Sequence, residues 1–212
     1  MTTYTSSDTT KMRMINAAGE LAAEQGIDNV STRAIAERSG ENIGSIHYHF
    51  GGKKGLWVAV VKTAMDSCVQ LDAQDELEEN ATPEKLSKMV RKMIGDEVTN
   101  LFRTGRPDWH AQVSYQLLQR DDDLYELFRA WRLGPAMDFM HGLIHIIRPD
   151  LDDEEVFIIG ALIKMPMFAH ANYRKAMLKR LKVESYSDEY LKKMEDLLVR
   201  QAQLLLGLPE DV

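Results

Sequence analysis

Apolar residues recur three and four positions apart along most of this chain, the spacing of a helix face, and strict alternation between turn signals is absent. The first stretch predicts a helix from about Asp8, an N-cap candidate, to Gln25, with Ile15, Ala18, Leu21 and Ala22 inward and Gly26 stopping it. Ser31 can cap a short helix over 32–39, with Ile35 and Ala36 inward and Gly40 as its breaker. Asn42 can cap a third, 43–49, closed by Gly51-Gly52, and a longer helix starts near Lys53 and runs to about Leu71. Further helices are expected at about 83–102, with Pro83 in the first turn, and at about 108–119. One more opens at Asp121-Asp122-Asp123, is interrupted at Gly134-Pro135 and ends before Arg148-Pro149. Two others cover about 152–172, kinked by Pro166, and 187–206. The last is amphipathic, with Tyr190, Met194, Leu197, Leu198, Gln201, Leu204 and Leu205 along one face. The fold class is all-α.

Composition adds a cellular setting. Hydrophobic residues make up 44% of the 212 and charged residues 28%, enough to bury a core. No apolar run reaches the ~18–20 residues of a membrane span, the polar N-terminus lacks a signal-peptide core, and Cys68 is the single cysteine. The expectation is a cytoplasmic protein with no membrane partner. Net charge is −7, yet residues 1–55 carry six basic and six acidic side chains, so the excess negative charge lies entirely beyond them. Such asymmetry points to two parts with different partners. The acidic segment "DAQDELEENATPEK" is the boundary candidate.

The stretch "GENIGSIHYHFGGKKGLW", residues 40–57, carries the most chemistry. Read as a metal site it fails on geometry, because His47 and His49 are two apart and diverge on a helix. Read as a phosphate loop it lacks the preceding strand, and Lys54 follows Lys53 where Ser or Thr is required. Read as a helix-turn-helix, its pieces agree. Gly40 permits the steep turn, and Ile35, Ala36, Ile46 and Phe50 make a small shared core. Ile43, Gly44, Ser45, His47 and Tyr48 are left outward as a compact hydrogen-bonding surface suited to a major groove. Lys53, at a helix start, suits a phosphate.

The longer stretch "STRAIAERSGENIGSIHYHFGGKKGLW" resembles the DNA-binding domain of the TetR family of transcriptional regulators, over about residues 10–60. Glu41-Asn42 stands where that family usually has Val-Ser, and His47 replaces its first tyrosine. The resemblance implies that Ser31 or Thr32 and Arg33 touch DNA from the second helix. It further implies that Ile43, Gly44, Ser45 and His47 face the groove, while Tyr48, His49 and Lys53 grip phosphates. It also implies a DNA-binding domain at 1–55, a linking helix at 53–72, and a helical ligand-binding and dimerisation domain at 56–212. The partners it implies are double-stranded palindromic operator DNA, a second copy of the chain, and a small apolar or amphipathic effector that releases a repressor. A protein that keeps the fold but binds a partner instead of DNA is the alternative.

In the C-terminal part, the 156–168 segment and the 187–206 helix can form a four-helix bundle between subunits. Its candidate contacts are Phe157, Ala161, Lys164, Tyr190, Met194, Leu197, Leu198, Gln201 and Leu205. Candidates for lining an effector pocket are Trp109, Tyr115, Phe128, Trp131, Met137, Met140, His141, Met165, Met167 and Phe168. His141 and His145 share a helix face at the spacing of a metal-binding pair, but spacing fixes no third ligand, so no metal or cofactor is assigned. Catalytic signatures such as G-x-S-x-G and H-E-x-x-H are missing, and no enzyme activity is expected.

Overall fold

The computed structural model describes residues 6–66, 81–103, 105 and 107–210, which form helices and no strand. Packing divides them into two bodies. The described residues of Met1–Cys68 and Arg106–Arg132 make the first, and those of Val69–Gly105 and Leu133–Val212 the second. This grouping cuts the chain differently from the division at 55/56, because a later segment packs back onto the N-terminal helices.

The first body begins with α1 (Ser6–Gln25), which places Asp8 inside the first turn instead of at the cap. There its carboxylate still complements the positive end of the helix dipole. α2 (Thr32–Ser39), α3 (Ile43–Phe50) and α4 (Lys53–Asp66) follow close to the expected limits; the rest of the expected linking helix, and most of the acidic segment, lie outside the described residues. α6 (Trp109–Leu117) and α7 (Asp123–Phe128) then close over α1 and α4. Gly19 makes this closure possible: a Cβ there would lie 2.2 Å from Cδ2 of the buried Trp109 indole. Gln116 fastens the same contact, its side-chain oxygen accepting from the Ile27 amide at 2.9 Å and its amide donating to the Ala22 carbonyl at 2.8 Å.

The second body contains α5 (Pro83–Val98), capped by Thr82, α8 (Gly134–Ile147), α9 (Asp153–Asn172), α10 (Arg174–Leu181) and α11 (Asp188–Leu206). Val90, Ile94, Val98, Leu143, Ile144, Ile163, Met167, Val199 and Ala202 form its core. Two local details differ from the sequence expectation, and a third concerns the course of α9. The expected interruption at Gly134-Pro135 is a π-helical turn at Arg129–Leu133, just ahead of the proline that lacks an amide donor. Helix α9 runs through Pro166 to Asn172, and the sharp change of direction, 75°, comes before α10. Helix α10 itself was not expected; it is basic and buries no residue, so it leaves no apolar stripe in the sequence.

A candidate nucleic-acid interface

The helix-turn-helix is built by its caps. The Ser31 hydroxyl accepts from the Ala34 amide at 3.1 Å and the Asn42 side chain from the Gly44 amide at 2.8 Å, so both helices start where Ser and Asn stand. Gly40, at φ 68°, ends α2 in the left-handed conformation, with the Glu41 amide reaching back to the Ala36 carbonyl at 3.0 Å. Ile35 and Ile46 are buried between the two helices and their supports. After α3 the chain turns tightly enough that a Cβ on Gly55 would stand 1.9 Å from the Phe50 carbonyl oxygen.

With Ile46 inward, an exposed stripe on α3 consists of Ile43, Gly44, His47 and Tyr48, at i, i+1, i+4 and i+5. Tyr48 is 84% exposed, so it does not pack against α1. Ser45 and His49 are half-buried at the margins of the stripe, with the His49 ring edge-on to Tyr48 at 4.8 Å. On α2, Arg33 and the capping Ser31 are exposed and Thr32 is half-buried. Because the Ser31 oxygen accepts the cap bond, what it retains for a ligand is its O–H donor and one lone pair.

Charge pairing resolves the apparent neutrality of the N-terminal residues. Arg38 lies against Glu24 at 2.9 Å and Glu20 at 3.5 Å, joining α2 to α1. Lys54 pairs with Asp123 at 2.5 Å. Glu41, the residue that departs from the family pattern, is held by Arg13, whose Nε donates at 2.9 Å and whose Nη2 donates as well, and by the Thr10 hydroxyl at 3.2 Å. The Arg13 hydrogen bonds hold the Glu41 carboxyl below the usual carboxylate range. Its negative charge is therefore matched at the turn by a cation of α1. Arg33 and Lys53 remain exposed, and among the described residues neither has an ion-pair partner. A nearly uncharged recognition stripe flanked by two available cations can meet base edges and phosphates together.

The other sequence candidates separate. Of the pocket set, Trp109, Tyr115, Phe128 and Trp131 belong to the first body, and Met137, Met140, His141, Met165, Met167 and Phe168 to the second. Trp109 and Phe128 are core residues of the first, and Met140 and Met167 of the second. Trp131 is exposed beneath the Lys62 ammonium, 4.5 Å from the ring centre. Of the subunit-contact set, Met194 and Leu198 point inward and Lys164 is only 15% exposed, beside buried Glu97 at 3.6 Å. Phe157 and Leu197 are exposed with Ile158, Leu162, Met165 and Leu204, while Ala161, Tyr190 and Leu205 are half-buried. Gln201 donates to the Leu162 carbonyl at 3.2 Å, which puts the exposed faces of α9 and α11 side by side.

Several polar pairings escaped the sequence reading. Glu195 is buried and receives Arg103 at 2.9 Å, beside the π-helical turn Thr99–Arg103. His170 meets the Tyr190 hydroxyl at 3.1 Å, and Tyr190 stacks on Tyr186 with centroids 5.0 Å apart. Single charged or aromatic residues on helices carry no signal for the Arg103–Glu195 and His170–Tyr190 pairings, whose partners lie 92 and 20 residues apart.

A chain whose described residues form helices and no strand, and whose N-terminal helix-turn-helix offers a neutral stripe and flanking cations, has the make-up of a DNA-binding transcriptional regulator. Residues 14–60 match the family of bacterial regulatory proteins named tetR. It is 24% identical over 133 residues to the HTH-type transcriptional repressor AcnR of Corynebacterium diphtheriae, covering 60% of this chain and 68% of that one. It is 28% identical over 150 residues to the HTH-type transcriptional dual regulator CecR of Shigella flexneri, covering 60% and 67%. Its fold is similar to that of a transcriptional regulator from Rhodococcus sp. Rha1, with a TM-score of 0.58 at 19% identity over 95% of this chain and 98% of that one.

Proposed function

We propose that this chain is a regulator of the tetR kind, a cytoplasmic repressor that binds a palindromic operator as a homodimer and leaves it when a small apolar or amphipathic effector binds. The observation that carries the reading is the α3 stripe of Ile43, Gly44, His47 and Tyr48 beside the available cations Arg33 and Lys53. In this reading Ile43, Gly44, Ser45 and His47 meet base edges. Ser31, Thr32, Arg33, Tyr48, His49 and Lys53 hold the backbone. A seven- or eight-residue recognition helix makes few contacts, so a second copy one helical turn away, ~34 Å, supplies the rest. The exposed apolar faces of α9 and α11 support isologous pairing into a four-helix bundle. Phe157, Ala161, Leu197, Gln201 and Leu205 are its proposed contacts, with Tyr190 at the margin. The second body would carry the effector site, with Met137, His141, Met165 and Phe168 as lining candidates. Release follows if the effector favours a spacing of recognition helices that no longer fits adjacent grooves; a tenfold loss needs about 1.4 kcal/mol of coupling.

The test is an electrophoretic shift with the DNA upstream of the protein's own gene. The chain should retard it at low salt, and Arg33→Ala with Lys53→Ala should weaken binding and reduce the salt dependence, each lost phosphate contact lowering the slope by about 0.9. Absence of any protein-dependent shift at low salt refutes the reading. If the double variant instead retains a protein partner that the wild type captures, the partner-binding alternative is favoured.

A further inference from the structure

We propose that His141, His145 and Asp153 form a binding site for a first-row divalent cation of the imidazole-preferring kind, such as zinc. The histidines stand one turn apart on α8, their ring centres separated by 4.6 Å with the planes at 74°. The third ligand, which spacing in the sequence did not supply, comes from the first residue of α9. Asp153 Oδ1 lies 3.1 Å from His145 Nε2 and 3.5 Å from His141 Nε2, and all three donor atoms fall within 4.8 Å of one another.

Those separations suit a tetrahedral ion. Bonds of ~2.0–2.1 Å to nitrogen and oxygen put neighbouring ligand atoms about 3.3–3.4 Å apart, and the two aspartate–histidine separations bracket that value. A point equidistant from the three donors lies no more than about 2.4 Å from each, so side-chain movements of a few tenths of an ångström complete the geometry. The scaffold on either side is firm. Met140 and Ile144 of α8 pack over Gly160 of α9, and Val156 is buried one turn beyond Asp153. A capping box fixes the first turn of α9: the Asp152 carboxylate accepts from the Glu155 amide at 2.9 Å, and Glu155 accepts from the Asp152 amide at 3.1 Å.

The surroundings suit the charge. His145 lies in the last turn of α8, where the helix dipole favours a cation. Asp152, Glu154 and Glu155 add a local negative field, while Asp150 is paired with Arg148 at 2.6 Å. Two imidazoles and one carboxylate select zinc, cobalt or nickel over magnesium or calcium, which prefer oxygen alone. The side chains of His141 and Asp153 are 45% and 87% exposed, so a water can take the fourth position. The alternative role for the cluster is two histidines sharing one carboxylate by hydrogen bonding, with no ion.

Full-length untagged protein, stripped with chelator, should take up one zinc per chain on equilibrium dialysis, and cobalt in its place should give the visible absorption band of a tetrahedral ion. Asp153→Asn leaves the Asp152 cap in place and should weaken zinc at least tenfold; His141→Ala with His145→Ala should abolish uptake and the cobalt band. Circular dichroism of the variants verifies that the helices persist. Wild type that binds less than one zinc, or a double histidine variant that binds as well as wild type, overturns the proposal. Neither readout involves DNA, so it stands or falls apart from the operator-binding reading.

Discussion

Gly55→Ala isolates the turn that aims the recognition helix. In a solvated helix this substitution would stabilise by ~1 kcal/mol, because alanine loses less backbone freedom. At position 55 the added Cβ would stand 1.9 Å from the Phe50 carbonyl oxygen, and real contacts essentially never fall below 3.0 Å. The ends of α3 and α4 must therefore part by at least 1.1 Å. Overpacking costs about 1–3 kcal/mol, and a contact with backbone belongs at the upper end because no rotamer relieves it. The net is a loss of about 2 kcal/mol, which in a body of roughly 90 residues lowers the melting temperature by roughly 8–16 °C. The three tryptophans, Trp57, Trp109 and Trp131, all lie in the first body, so their fluorescence follows its unfolding separately from that of the second. Operator affinity should fall further than the unfolded fraction explains, at least tenfold, since a good base contact is worth ~1–3 kcal/mol and tolerates little displacement. A variant that melts no lower than wild type and binds operator equally well would refute the steric argument.

Gly19→Ala should also destabilise the first body, by about 2 kcal/mol in urea titrations, because its Cβ would meet three atoms of the Trp109 ring at 2.2–2.6 Å; a gain in stability would count against the indole packing described here. Lys182→Gly should raise the thermal stability of the second body by about 0.5–1 kcal/mol, since Lys182 ends α10 at φ 58°, where a side chain is strained; a calorimetric melt at or below wild type contradicts this. Asp122 caps α7, accepting from the Leu124 amide at 3.1 Å and the Tyr125 amide at 3.3 Å, so Asp122→Ala should cost about 1 kcal/mol at pH 7. Hydrogen bonding from Arg120, more than the amides, holds its carboxyl below the usual range. A lowered folded pKa means stabilisation present above the unfolded value of ~3.9 and lost as pH falls through the folded one. The penalty of Asp122→Ala should therefore shrink below about pH 4, and an equal penalty at pH 3.5 and pH 7 would be the contrary result.

By itself the sequence determined what local chemistry controls. Ser31, Asn42, Thr82 and Asp152 start helices because their side chains bond nearby amides, and Gly40, Gly51 and Gly207 end helices because a left-handed residue must follow. The helix-turn-helix and its outward stripe were legible for the same reason: cap, turn and inward residues all lie within about 20 positions of one another. The tertiary structure decided what depends on residues distant in the chain. It brought Arg13 to Glu41, so that an acidic residue in the turn carries a matching cation. It returned α6 and α7 to the N-terminal body, laid Trp109 on Gly19, and turned Met194 and Leu198 inward while leaving Leu197 and Leu204 exposed. It also set Asp153 against a histidine pair that periodicity had placed on one face of α8 without a third ligand. Helical periodicity tells which residues share a face. Only packing tells what that face meets.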